Sequence, residues 1–352
     1  MKSARESWIN PVLSVLLCAA GGALFAWLRI PLPWMIGPLV IMALCNFAGA
    51  QLRAPFAGRQ VGQVIIGTAL GLYFTPVVAR EVVSNWHLLL VAALLAIALG
   101  WFGGWILSRA TGTDRTTAFF ASVPGGAAEM AVLGERYGAK IDRVALAQSL
   151  RILIVVIVVP FALSYSGTYG AHTFQPAAMA LEWPRLLLLL ALAAAAGGCG
   201  KLVGLPNPFM LGPLFAAIAI TAAEMRFSSI PGVVTNAAQV LLGCALGARF
   251  EQRFLRRIPG FVAGAVASIL IAIALAGAAG MLLALASGLP LPTLVLATAP
   301  GGIAEMCITA KVLQLGVPLV TAAHVTRVIV LTTTTGLAFR AARALVTRRA
   351  QV

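Results

Sequence analysis

Apolar residues in this chain form long runs separated by short polar stretches, and the runs come in two similar sets. A run of about 20 apolar residues is typical of a membrane-spanning helix. The pattern therefore predicts an all-α, polytopic membrane protein built from two copies of one unit. The first copy contains six apolar segments, near residues 10–29, 34–50, 56–75, 86–108, 115–135 and 143–166, and the second copy contains their counterparts.

The duplication is visible residue by residue. The sequence Pro-Gly-Gly-x-Ala-Glu-Met occurs at residues 124–130 and again at residues 300–306. An earlier block, Met-x-Gly-Pro-Leu, is also repeated, at residues 35–39 and 210–214. We therefore predict three parts of the chain: a first membrane repeat over 9–172, a linker over 173–183 and a second membrane repeat over 184–345.

The fifth segment of each copy contains the Pro-Gly-Gly sequence, which a lipid-facing helix would not tolerate, so we expect a broken helix or a re-entrant hairpin there. If all twelve segments crossed the membrane, Lys and Arg in the loops would divide 12 inside and 11 outside. With two hairpins the division is 18 to 5, and this strong inside bias favours the hairpins. Five crossings per copy predict inverted repeats, ten spans in all and cytoplasmic termini.

Composition agrees with a membrane protein, because 61% of the residues are hydrophobic and only 10% are charged. The formal charge of +15 is scattered over the loops without interleaved aromatic residues, so we expect no nucleic-acid partner. The five cysteines lie in apolar segments, and the three histidines show no ligand spacing. We therefore expect no metal site, no cofactor and no enzymatic activity.

The two breaks are the candidate binding surface, because a half-helix that starts inside the membrane presents unpaired N–H groups and a positive dipole end. Arg151 and Arg327 lie in otherwise apolar runs, where an ionised group needs a partner. Two interpretations stay open: structural ion pairs between each arginine and the glutamate of its break, or direct contact with a solute or a coupling ion. The break residues concerned are Pro124, Gly125, Gly126, Glu129, Pro300, Gly301, Gly302 and Glu305.

Four further polar residues complete the predicted site. Gln148 and His324 occupy matching positions three residues before the arginines, on the same helix face. His324 is interpreted either as a proton-linked group or as a hydrogen-bonded packing residue. Gln63 and Gln239 also match, and they either contact the solute or link helices.

The repeated Pro-Gly-Gly-x-Ala-Glu-Met and Met-x-Gly-Pro-Leu blocks, within a two-copy layout that covers nearly the entire chain, resemble the AbrB family of bacterial membrane proteins. Members often carry the label of an ammonia monooxygenase or of a regulator of aidB expression. The resemblance implies a bacterial inner-membrane protein, similar in broad architecture to cation/proton antiporters and anion transporters. A monooxygenase needs converging metal ligands, which the sequence does not predict.

These observations favour a secondary active transporter for a small anionic or zwitterionic solute, coupled to H⁺ or Na⁺. Alternating access would occur around a central site formed by both breaks, in contact with the lipid bilayer. A membrane sensor that affects gene expression indirectly is the alternative, and a channel is a third. The oligomeric state is left open, with a homodimer as one arrangement.

Overall fold

The computed structural model describes residues 4–167, 180–225, 227–250 and 258–349, and all regular secondary structure in these ranges is helical. The first half contains eight helices: α1 (Ala4–Trp27), α2 (Pro33–Phe47), α3 (Gly58–Gly71), α4 (Pro76–Ser84), α5 (Trp86–Thr111), α6 (Arg115–Ser122), α7 (Ala127–Arg136) and α8 (Ile141–Tyr165). The second half contains seven in its described part: α9 (Trp183–Leu202), α10 (Pro208–Ala222), α11 (Gly232–Gly247), α12 (Pro259–Ser287), α13 (Leu291–Thr298), α14 (Ile303–Val312) and α15 (Val317–Arg349).

Six of these helices, α1, α5, α8, α9, α12 and α15, are long and apolar enough to cross a membrane. This confirms the predicted all-α, multi-pass membrane fold. The helices α2, α3, α10 and α11 are only 14 to 16 residues long. At 1.5 Å per residue they are shorter than a bilayer core of about 30 Å. The count of ten full crossings and the opposite orientation of the two copies stay predictions.

The fifth segment of each copy folds back on itself. In the first copy, the backbone N–H of Lys140, after α7, donates to Thr117 Oγ1, near the start of α6, at 2.9 Å. In the second copy, the N–H of Gly316 donates to Thr293 Oγ1 at 3.2 Å in the same way. Because each bond joins the two ends of a two-helix unit, α6–α7 and α13–α14 are helical hairpins broken at the Pro-Gly-Gly sequences. That both enter and leave the membrane on one side stays a prediction.

The helices pack as two groups, each with members from both halves of the chain. The scaffold group contains α1–α3 and α9–α11, and the break group contains α5–α8 and α12–α15. Glycines allow close helix contact inside the scaffold group. A Cβ at Gly67 of α3 would lie 2.6 Å from the Met210 carbonyl oxygen of α10, and one at Gly243 of α11 would lie 2.5 Å from the Met35 carbonyl oxygen of α2. The two halves are therefore interlocked.

The short helix α4 was not predicted as a separate element, and it lies at 90° to α3 after a break of four residues. The predicted linker 173–183 falls mostly outside the described residues, so its boundaries and those of the two repeats remain predictions.

Candidate functional site

A cavity of about 370 Å³ lies where the two breaks meet, and its walls come from both helix groups and both halves. Ten of the fourteen predicted site residues line it: Gln63, Pro124, Gly125, Gly126, Glu129, Arg151, Gly301, Gly302, Glu305 and Arg327. The other four, Gln148, Gln239, Pro300 and His324, are not among the lining residues. The fold thus brings the two distant motifs of the sequence to one place.

Each glycine of the break makes room for a residue of the half-helix that follows. A Cβ at Gly125 would lie 2.8 Å from the sulfur of Met130, and one at Gly126 would lie 2.7 Å from the carboxyl carbon of Glu129. The second break repeats this arrangement between Gly301 and Met306 and between Gly302 and Glu305. The spacing of Gly, Gly, Glu and Met in the motif therefore has a packing reason.

Both arginines bind backbone carbonyl groups of their own hairpin. Arg151 donates from Nη1 to the Val123 oxygen at 2.9 Å and from Nη2 to the Gly125 oxygen at 3.1 Å. In the second copy, Arg327 donates from Nη1 to the oxygen of Ala299 at 2.7 Å and from Nη2 to that of Gly301. Carbonyls at the end of a helix lack an intrahelical partner, and the guanidinium groups supply one.

The ion pairs considered from the sequence do not form. Glu129 does not reach Arg151, and Glu305 does not reach Arg327, within 4.0 Å. In the part of the chain that the structure describes, the single ion pair joins Arg185 to Glu182 at the surface. The structural interpretation was therefore wrong about the partner, because the arginines hold the hairpins through carbonyl groups instead.

Gln148 and His324 hold the first helix of each hairpin in the same manner. Gln148 Nε2 donates to the carbonyl oxygens of Phe120 at 2.8 Å and Val123 at 3.0 Å. His324 Nε2 lies 3.1 Å from the carbonyl oxygen of Leu296, so this ring nitrogen carries the proton. Both side chains are fully buried, and Gln148 Oε1 and His324 Nδ1 have no hydrogen-bond partner among the described residues, so both interpretations of His324 stay open.

The two glutamates have different surroundings. Glu129 Oε1 accepts a hydrogen bond from the backbone N–H of Asn207 at 3.1 Å, and Gln63 Nε2 donates to Asn207 Oδ1 at 3.0 Å. These two hydrogen bonds connect the break group to the scaffold group through Asn207. The carboxylate of Glu305 accepts no hydrogen bond from the residues that the structure describes. Gln239, the counterpart of Gln63, contacts Asn236 on its own helix at 3.4 Å.

The cavity carries more positive than negative charge. Its charged lining residues are two carboxylates, Glu129 and Glu305, and four cations, Arg59, Arg151, Lys201 and Arg327. Lys201 is exposed, whereas Arg151 and Arg327 are buried. Arg249 is not a lining residue, but it is close enough to Arg59 and Glu305 to interact with their charges. Burial is the main cause that lowers the pKa of Arg249, and the charge of Arg59 lowers it further, whereas the charge of Glu305 raises it. This electrostatic environment favours an anion.

No group of three or more His, Cys, Asp or Glu side chains that could hold a metal ion occurs within the described ranges. Sequence reasoning missed Asn207, Arg59 and Lys201. Asn207 lies in the left-handed region, at φ 46°, directly before Pro208. Asparagine is enriched in this conformation, which is the one signal in the sequence that could have drawn attention to it.

Comparisons with known proteins find similar sequences over most of the chain. The chain is 28% identical to "Uncharacterized protein YhjN" of Bacillus subtilis (strain 168), over 92% of this chain and 91% of the relative. It is 27% identical to "Putative regulator AbrB" of Escherichia coli (strain K12), over 85% of each chain. The family AbrB, described as "Transition state regulatory protein AbrB", matches residues 34–343, and the chain therefore belongs to the AbrB family.

Proposed function

We propose that this chain is a secondary active transporter for a small anionic or zwitterionic solute, coupled to protons or sodium, in the bacterial inner membrane with both termini in the cytoplasm. The observation that carries the proposal is the cavity of about 370 Å³ into which both helix breaks open. Broken helices that meet around one site are a recurring feature of secondary transporters. The proposal includes no catalytic step and no resident cofactor.

The two helix groups are the parts that we propose to move relative to each other. The cavity lies at their boundary, because Gln63 and Asn207 belong to the scaffold side and both breaks belong to the other. Few contacts cross this boundary compared with those inside each group. Movement of the break group against the scaffold group would expose the cavity to each side of the membrane in turn.

The glutamates are the proposed coupling residues. Each lies in the first turn of its half-helix, Glu129 in α7 and Glu305 in α14, and each lines the cavity. A carboxylate at this position binds a proton or contributes an oxygen ligand to sodium. Its charge therefore changes with the coupling ion, next to the place where the solute binds.

The first test is a thermal-shift screen of the purified chain against small carboxylates, amino acids and aromatic acids, over a range of pH and sodium concentration. A ligand of the folded state raises the unfolding temperature with a saturable dose dependence. We expect such a rise for the wild type, and we expect Glu305→Gln to remove the dependence of this rise on pH and sodium, with Glu81→Gln as the control because Glu81 is exposed on α4. A panel without any stabilising solute would contradict the proposal.

A membrane sensor or regulatory protein is the second candidate, because the Escherichia coli relative is named as a regulator. This function predicts changed transcript levels in a deletion strain without a change in solute uptake. Measuring both in the same strain separates the two candidates. A transport defect that precedes the transcript change would favour the transporter.

A further inference from the structure

Arg151 and Arg327 are buried cations, and no carboxylate of the described residues lies within 4.0 Å of either guanidinium group. Their side chains are only 4% and 3% exposed, and their hydrogen bonds reach neutral carbonyl groups. The Nε–H of each has no partner in the described part of the chain. A buried charge is costly unless an opposite charge compensates it, so each arginine favours a nearby anion.

Neither glutamate of the cavity forms an ion pair with Arg151 or Arg327. Each carboxylate folds back over the N-cap glycine of its own half-helix, Glu129 over Gly126 and Glu305 over Gly302. Neither N-cap glycine has a side chain that could cap the helix. The carboxylates therefore compensate the positive ends of α7 and α14, and the arginine charges stay without an ion-pair partner within 4.0 Å.

We propose that the cavity binds a small organic dianion of the dicarboxylate class, whose two acidic groups compensate Arg151 at one break and Arg327 at the other. The lining charges, four positive and two negative, leave an excess of two positive charges that such a ligand balances. The inference names the solute class of the proposed transporter and therefore rests on that proposal.

The rest of the cavity fits the same ligand. Ile152, Leu242, Leu246 and Val328 line the walls and suit a short hydrocarbon chain between the acidic groups. Arg59 and the exposed Lys201 lie at the cavity as well, and they raise the local concentration of multivalent anions. A monoanion or a zwitterion would leave one arginine uncompensated.

The test compares dicarboxylates with half-amides of the same length on the purified full-length chain, by isothermal titration calorimetry. The pairs are succinate with succinamate and glutarate with glutaramate, at a pH where both acidic groups are ionised. We expect at least one dicarboxylate to bind about tenfold or more tightly than its half-amide, since tenfold corresponds to about 1.4 kcal/mol. Equal affinities within each pair, or no binding of either dicarboxylate, would overturn the inference.

Variants of Arg327 test whether this arginine compensates the second carboxylate of the ligand. In Arg327→Gln the preference for succinate over succinamate should disappear while succinamate still binds, and in Arg327→Lys, which keeps the charge, the preference should persist. Arg53→Gln is the control, because Arg53 is exposed and outside the cavity. If Arg327→Gln does not fold, the wild-type comparison of the two acids still decides the question.

Failure of this inference is distinguishable from failure of the proposed function. Saturable binding and concentrative uptake of a monoanion or zwitterion, with no dicarboxylate bound, would remove the dianion and keep the transporter. A chain that transports no member of the panel and binds none would remove both.

Discussion

The two helix breaks have nearly the same sequence but different surroundings. The parts that hold the backbone are alike, since Arg151 and Arg327 each bind two carbonyls, and each Gly-Gly pair lies under a glutamate and a methionine. The carboxylates differ, because Glu129 is bonded to Asn207 whereas Glu305 accepts no hydrogen bond from the described residues. The two breaks thus share one architecture and differ in how the carboxylate is bound.

The first break is the one tied to the scaffold. Asn207 belongs to the loop before α10, and its counterpart before α2 is the buried Leu32. Both have positive φ, 46° and 50°, but the leucine has no polar side chain that Gln239 could bind. We expect Glu129 to stabilise one arrangement of the two helix groups and Glu305 to be freer to exchange its coupling ion.

The largest expected difference between the two breaks concerns the arginines. Arg151→Gln leaves only the Gly125 carbonyl without a donor, because Gln148 also donates to the Val123 oxygen. Arg327→Gln leaves the Ala299 and Gly301 carbonyls without one, because His324 reaches only Leu296. A buried unpaired carbonyl costs about 1–3 kcal/mol, so Arg327→Gln should lower the free energy of unfolding by that much more.

Denaturation of the purified variants in detergent measures this difference. Arg327→Lys and Arg151→Lys serve as controls that keep one charged donor at each break. Equal losses in the two glutamine variants would contradict the assigned hydrogen bonds.

An effect of similar size concerns the glycines under the glutamates. A Cβ at Gly126 would displace the Glu129 carboxylate and break its bond to Asn207, which costs about 1.5–3 kcal/mol for a charged hydrogen bond. The same change at Gly302 displaces Glu305, which has no such bond to lose. Gly126→Ala should therefore destabilise the protein more than Gly302→Ala.

A double-mutant cycle checks this cause. Gly126→Ala combined with Glu129→Ala should be no less stable than Glu129→Ala alone, because the alanine then meets no carboxylate. Additive losses would show that Gly126 matters for another reason.

A smaller effect is expected at the paired glutamines. Gln63→Leu removes the bond to Asn207 and should cost about 1 kcal/mol, whereas Gln239→Leu removes only a 3.4 Å contact within α11 and should cost less than about 0.5 kcal/mol. Unfolding temperatures of the two variants, measured side by side, test this order. A larger loss for Gln239→Leu would reverse the comparison.

The smallest effect is expected at His324. Its Nε2 is bonded to the Leu296 carbonyl, so His324→Gln gives the second break the residue that the first already has and should change stability by less than about 0.5 kcal/mol. We also expect the pH dependence of uptake to persist in this variant. Loss of that dependence would identify His324 as the proton-linked group.

Both breaks and all helices except the short α4 could be predicted from the sequence, because they follow from local patterns. Apolar runs separate the helices, and Pro-Gly-Gly interrupts one in each copy. The matched Thr117 and Thr293, which close the two hairpins, were also visible as a repeat but carried no motif that marked them.

The partners inside the site could not be predicted in the same way. A charge in an apolar run needs a partner, but the sequence does not show backbone carbonyls, so the glutamate of the same break was chosen for Arg151. Asn207 was not identified as a site residue because its matching position in the first copy is Leu32. A comparison of the two copies finds only residues that are the same in both. Contacts between residues 78 positions apart, such as Asn207 with Glu129, depend on the tertiary fold.

The most direct test of the central claim is concentrative uptake into proteoliposomes, with the solute that stabilises the purified chain most strongly and an imposed proton or sodium gradient. The account predicts accumulation against the solute gradient in the wild type and its loss in the double variant Glu129→Gln, Glu305→Gln, reconstituted to the same level. Undiminished accumulation in a correctly folded double variant, or no accumulation in the wild type under either gradient, would contradict it.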